Sequence, residues 1–193
     1  MSELAVPAPA VPELPAEWTL DSLAMLPDDG HRYEIVDGGL HVSPPPSMGH
    51  QLAASELALA LRLAAPTDIA VLEGIGIDFG RSMFIPDIAV ITRDVAGSGA
   101  ALAKPSDVRL VVEIVSPSSV SMDRFLKRAR YAQAGIPSYW RVEFDRSGEP
   151  SIVVHDLDGD GYREIVIGAG ERVEVERPFP VLLAPAGLVG PRT

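Results

Sequence analysis

The chain contains no cysteine, which excludes disulfides and thiolate metal sites and leaves oxygen and imidazole as side-chain donors for any metal. Positive charge is also scarce: 16 Lys and Arg stand against 27 Asp and Glu, a formal net charge of −11. Nucleic-acid binding draws affinity from phosphates neutralised by basic side chains. Contact with DNA or RNA would therefore require a local basic face, a metal that inverts the field, or a partner protein. No apolar run approaches the roughly 18–20 residues that cross a bilayer. The first basic residue is Arg32, so the N-terminus lacks the positive start of a signal peptide and is interrupted by prolines. The chain reads as cytoplasmic and free of membrane. Walker motifs, nucleophile elbows and Cys/His zinc spacings are missing as well.

What remains is an ordinary globular composition, 47% hydrophobic and 22% charged over 193 residues, enough for one domain with its own core plus a tail. Residues 1–16 are rich in Ala, Pro and Val without amphipathic period, a composition expected to stay flexible. The domain is expected over 17–193. Thr19 caps a short helix that runs to Leu26 and stops before Pro27. Two strand-like runs, 32–36 and 40–42, flank Asp37-Gly38-Gly39 and predict a hairpin with a three-residue connection. After Pro44-Pro45-Pro46, Ser47 opens a helix of about four turns. It is an Ala/Leu-rich stretch containing Leu52, Ser55, Leu59, Arg62 and Leu63, read as mostly buried. Strands follow at 69–73, 76–79 and 87–92, then a Gly-containing loop at 96–105. The run 110–115 is the most hydrophobic and should lie centrally in the sheet. A second helix starts near Ser121 and closes at Gly135, and β-rich segments at 138–144, 151–157, 162–167 and 172–175 complete the chain. The pattern is α/β (α+β): a mixed sheet with helices against it.

Two apparent motifs fail on inspection. Asp156-Leu157-Asp158-Gly159-Asp160-Gly161 resembles the first half of a calcium loop, but the twelfth position is Ile167 and the flanks read as strands, so a tight hairpin turn is expected. Gly74-Ile75-Gly76 with Gly80 leads into a strand rather than a helix, unlike a dinucleotide loop.

The chemistry-bearing feature is a pair of carboxylates on successive strands. Asp87 follows Pro86 at a strand start, and Glu113 sits inside Val111-Val112-Glu113-Ile114-Val115. Burying a carboxylate among β-branched residues is costly unless a metal or cation meets it. If the strands are neighbours, both acids converge at one sheet edge and suit Mg²⁺, which takes oxygen ligands and keeps several waters. On the following helix Asp123 and Lys127 are four residues apart and share a face. Met122, Phe125, Ala129 and Ala132 read as the opposite, core-facing stripe, with Lys127 directed away from the core toward the sheet edge. Each feature also has a plain structural reading. Asp87 suits a turn, Glu113 an ion pair, and Asp123 with Lys127 an exposed helix pair. Glu34 reads as an ordinary strand carboxylate and His50 as a residue of a helix N-terminal turn. His31, His41 and His155 show no ligand spacing.

Taken in order, several features resemble the Uma-two family of restriction-endonuclease-like proteins, a branch of the PD-(D/E)XK superfamily. They are Tyr33-Glu34-Ile35-Val36-Asp37-Gly38, Pro86-Asp87, Glu113-Ile114-Val115-Ser116-Pro117-Ser118, Asp123 with Lys127, Tyr131-Ala132, Gly135-Ile136-Pro137 and Tyr139-Trp140. The resemblance spans Leu20 to Leu183. It implies a restriction-endonuclease-like mixed sheet flanked by helices, and hydrolysis of DNA phosphodiesters. Cutting both strands of a duplex with one site per chain would need two copies, so a homodimer is expected. The resemblance further implies Mg²⁺ or Mn²⁺ held by Asp87, Glu113 and the carbonyl of Ile114. The superfamily lysine, normally two residues after the second carboxylate, is replaced by Val115, and Lys127 is expected to take its place. Glu34 is an auxiliary carboxylate in this reading, Asp123 accompanies Lys127, and His50 or Gln51 lines the cleft. The alternative is a nuclease fold kept as a binding or assembly module without turnover.

Overall fold

Thirteen strands form three sheets among the residues that the computed structural model describes, 15–117 and 119–189. The proline-rich segment expected as a tail lies outside them, apart from its last two residues. In chain order the helices are α1 (Leu20–Leu23), α2 (Met48–Ala64), α3 (Arg93–Ala96) and α4 (Arg128–Gln133). The strands are β1 (Arg32–Val36), β2 (Gly39–Ser43), β3 (Ile69–Glu73), β4 (Gly76–Asp78), β5 (Met83–Phe84), β6 (Ile88–Thr92) and β7 (Leu102–Ala103). They continue with β8 (Val108–Ile114), β9 (Ser138–Phe144), β10 (Pro150–Asp158), β11 (Gly161–Ile167), β12 (Val173–Val175) and β13 (Val181–Leu183).

The main sheet has the order β11-β10-β9-β8-β6-β3, antiparallel except for the parallel pair β8–β9. β8 lies inside it, as its apolar sequence requires. A smaller sheet, β2-β1-β5-β4-β7, covers part of one face, and β12 pairs with β13. Because side chains alternate along a strand, the main sheet feeds two cores. Ile88, Val90, Leu110 and Val112 face Leu57 and Leu61 of α2, whereas Ala89, Ile91 and Val111 face Ile77 and Phe84 of the small sheet and Tyr131 of α4. Coverage on both faces explains why β6 reads as an apolar run and β8 as one interrupted only by Arg109 and Glu113.

Local chemistry sets the connections. The β1–β2 hairpin turns in two residues, not the three expected: Val36 pairs with Gly39, and Asp37 and Gly38 take φ of 49° and 84°. That is the left-handed pair of a type I′ turn, matched to the twist of the strands. The Asp158/Gly161 pairing closes the β10–β11 hairpin over Gly159-Asp160, as foreseen for the false calcium loop. The Ser47 side chain accepts from the His50 amide and caps α2, while Thr19 caps an α1 shorter than expected. β5, β7 and β13, two or three residues each, are too short to show a period.

α2 corrects one expectation. Its buried residues are Ala53, Ala54, Leu57, Ala58 and Leu61, whereas Leu52, Ser55, Leu59, Arg62 and Leu63 lie on the exposed side. Three small alanines on the inner face let the helix approach the sheet closely around Leu57 and Leu61, while Leu52, Leu59 and Leu63 lie on the outer face. Leu57 is 1% exposed, so Leu57→Ala is expected to cost about 2–5 kcal/mol of stability, whereas Gln51→Ala on the outer face should stay within about 0.5 kcal/mol. Urea unfolding of the two variants checks this; equal losses would place the core elsewhere.

Candidate functional site

Two strand ends and one helix build the site, and sheet register brings the acids together. In the antiparallel pair β6–β8, Ile88 stands opposite Val112, so one step further along puts Asp87 across from Glu113. Asp87 shares the side of Ala89 and Ile91, and Glu113 the side of Val111, so both acids point toward the small sheet and α4. There they are buried, 5% and 2% exposed. Ile114 contributes its amide, which donates to Asp87 Oδ2 at 2.7 Å. β1 supplies Arg32 and Glu34 by the same period of two. Arg32 Nη1 lies 2.8 Å from Asp87 Oδ1, and Glu34 Oε1 accepts from the Ile85 amide at 2.7 Å.

The third component is a π-helical segment, Met122–Lys127, that runs straight into α4. Such wide turns recur at functional sites because they rotate one face of a helix relative to the next turn. Here Asp123, Lys127 and Tyr131 point inward, at 2%, 3% and 0% exposure, while Phe125 is exposed. This reverses the expected phase of the helix: Phe125 and Ala129 face solvent, and the lysine is buried. The Lys127 ammonium sits 3.0 Å from Glu34 Oε1, 3.0 Å from Glu113 Oε1 and 3.8 Å from Asp123 Oδ1. Tyr131 donates its hydroxyl to the same Glu113 oxygen at 2.8 Å, so Glu113 Oε2 is spared by both donors. His50, in the first turn of α2, places Nε2 3.3 Å from Asp87 Oδ2, and its buried Nδ1 has no hydrogen-bond partner.

All of these side chains except Tyr131 line one cavity of about 190 Å³, closed on another side by Pro44-Pro45-Pro46. Four carboxylates (Glu34, Asp87, Glu113 and Asp123) meet two permanent cations, Arg32 and Lys127. Burial pushes the Glu113 carboxyl well above its ordinary pKa; Lys127 opposes this, but the charges of Asp123, Asp87 and Glu34 add to the rise. Burial raises Asp123 in the same way. Burial also works against Asp87 ionisation, yet the His50 hydrogen bond, the Arg32 charge and the Ile114 amide outweigh it and hold Asp87 low. For Lys127 the desolvation cost is overcome by the three surrounding carboxylates, and its pKa is raised. The two acids thus differ: Asp87 is firmly an anion, and Glu113 is a carboxylate short of positive charge.

Asp87, Glu113, Lys127, Glu34, Asp123, His50 and Ile114, each singled out in the sequence, line this cavity. Gln51 does not; it is exposed on α2. Arg32 and Tyr131 were missed as site residues, although each had a signal. Arg32 is two residues from Glu34 on one strand face, and Tyr131 continues the i, i+4 series of Asp123 and Lys127.

Lys127→Met should destabilise the fold by about 3–5 kcal/mol, since it leaves Glu34 and Glu113 buried without their cation. Adding Glu113→Gln should recover part of that loss. Urea unfolding of both variants measures it; additive losses would mean that the two side chains do not interact.

The family model of Uma2, described as "Putative restriction endonuclease", matches residues 20–186. A similar fold is found in the crystal structure of a "putative nuclease belonging to DUF820" from Anabaena variabilis. It is 17% identical in sequence, with a TM-score of 0.67 over 89% of this chain and 97% of that one. No curated protein matches the chain. With the family model covering most of its length, the chain belongs to the Uma2 family, and its mixed sheets flanked by helices share the fold of that crystal structure.

Proposed function

We propose that the protein is a divalent-metal-dependent endonuclease that hydrolyses DNA phosphodiesters, with Asp87, Glu113 and Lys127 at its centre. One observation carries the reading: four buried carboxylates converge on a cavity that holds only two permanent cations. The formal deficit of two positive charges suits one divalent ion, and an all-oxygen donor set suits Mg²⁺ or Mn²⁺. Among the described residues, no three His, Asp or Glu side chains are grouped to hold a metal by themselves. Asp87 and Glu113 would therefore bind it with the Ile114 carbonyl and waters completing the shell, as is usual for Mg²⁺.

A bound divalent ion would supply Lewis acidity toward a phosphate oxygen and the attacking water. The chain's own groups do the rest. Lys127, held in place by Glu34 and Glu113, offers N–H donors for the nucleophile and for charge developing on phosphorus. Arg32 and His50 fix Asp87, so that one carboxylate stays ionised while the other keeps Oε2 open. Asp123 holds the ammonium from its own helix. The net charge of −11 leaves duplex binding to local contacts and the metal. Two copies would cut both strands, since each chain carries one such centre. Residues 17–193 form the nuclease domain in this reading, and the protein works in the cytoplasm; no described helix is long and apolar enough to cross a membrane.

A second reading is supported by Asp87, whose two oxygens are already engaged by Arg32, His50 and the Ile114 amide. A binding or assembly module with a locked acidic pocket would look the same. Calorimetry with Mg²⁺ and Mn²⁺ beside a plasmid-nicking assay separates the two. The nuclease binds the ion and nicks; the module fails to nick whatever it binds.

Asp87→Asn and Glu113→Gln should each lower metal-dependent nicking by about 10²–10³-fold with melting curves retained. Wild-type nicking rates in Glu113→Gln would end the assignment. The calorimetric signal for Mg²⁺ should vanish in the Asp87→Ala, Glu113→Ala double variant, and a surviving signal would move the metal away from these acids.

A further inference from the structure

The outer face of α2 carries apolar side chains that are left exposed among the described residues. Met48 is 91% exposed, Leu52 41%, Leu59 49% and Leu63 80%. At 100° per residue these four fall within about 60° of arc, opposite the buried Ala54, Leu57 and Leu61, and they run about 22 Å along the helix. Their spacing is palindromic. Met48 and Leu63 are equally far from the midpoint of the stripe, as are Leu52 and Leu59. Ser55 and Glu56 flank that midpoint.

We propose that this stripe is a two-fold interface at which a second copy of the chain packs its own α2 antiparallel. An isologous contact requires a surface complementary to itself, and the palindrome provides one: Met48 meets the other copy's Leu63, Leu52 meets its Leu59, and the small Ser55 lies at the crossing, where the backbones come closest. From the exposures above, the four side chains offer roughly 500 Å² of apolar surface per copy, the size at which a patch marks an interaction site. Two copies together bury on the order of 1,000 Å² through these residues alone, the lower bound for a specific interface. The chain's negative charge disfavours an anionic membrane as the cover, and no basic residue lies within the stripe itself. Glu56 is exposed on the rim beside the dyad, where it faces its own copy, so like-charge repulsion there weakens the pairing.

This surface is independent of the nuclease chemistry, and its test reads mass and cross-links rather than cleavage. Sedimentation equilibrium of the full chain should give twice the 20.5 kDa chain mass. Leu59→Glu with Leu63→Glu should give a monomer with an unchanged circular-dichroism spectrum, and Glu56→Gln should tighten the dimer. The chain has no cysteine, so engineered thiols report the register directly. Ser55→Cys should cross-link to itself on mild oxidation. Met48→Cys should cross-link only when mixed with Leu63→Cys, because two copies of position 48 lie about 22 Å apart along the helix pair. A monomeric wild type, a dimer indifferent to the two glutamates, or self-linking of Met48→Cys would each overturn the proposal. If the glutamate variant unfolds, the thiol pairs still decide it.

Discussion

One buried ammonium holds the centre of this molecule together. Lys127 is 3% exposed and lies within 3.0 Å of two carboxylates from different parts of the chain, Glu34 of β1 and Glu113 of β8. Desolvating a lysine is costly, and the site tolerates it because three acids surround the charge. The same contact ties the small sheet, the main sheet and the helix into one unit, since each contributes one member. Tyr131 reinforces it through Glu113, and the Phe84 ring lies 5.6 Å from the ammonium. Remove the cation and three elements lose a shared reason for meeting.

The surplus of negative charge around that ammonium links structure to chemistry. A stable domain rarely buries like charges unless something else compensates them. Glu113 is raised by that crowding, whereas Asp87, beside the Arg32 guanidinium, the His50 hydrogen bond and the Ile114 amide, is held low. One fixed anion beside one charge-starved carboxylate is an arrangement a divalent ion would relieve.

Much of this was legible in the sequence because strands report their faces with a period of two. Asp87 and Glu113 stood out as acids in β-branched runs, and placing their strands side by side was enough to pair them. The helices were less readable. In α2, alanine and leucine occupy every face and obscure the period. Only the few polar residues Gln51, Ser55, Glu56 and Arg62 mark the outer side, opposite the buried Ala53, Ala54, Leu57, Ala58 and Leu61. In the helix after Ser121, Phe125 looked like a core residue, but the π-helical segment turns the face of Asp123, Lys127 and Tyr131 inward instead. The buried charge cluster outweighs the burial of one aromatic ring there, and no local pattern carries that information, because the acids that attract Lys127 lie far away in sequence. Arg32 was overlooked because its partner Asp87 is 55 residues distant, although Glu34, two residues along, marks the same strand face.

The hairpin turn carries a mechanical consequence. Asp37, at its tip, is held by Arg130 of α4 at 2.5 Å, and three residues back along each element Glu34 meets Lys127. Strand and helix are therefore tied at two points, three residues apart along each, one at the surface and one deep inside. Such a frame resists shear: β1 cannot slide along the helix without breaking both contacts, the buried one at Glu34 and Lys127 that lines the cavity and the outer one at Asp37 and Arg130.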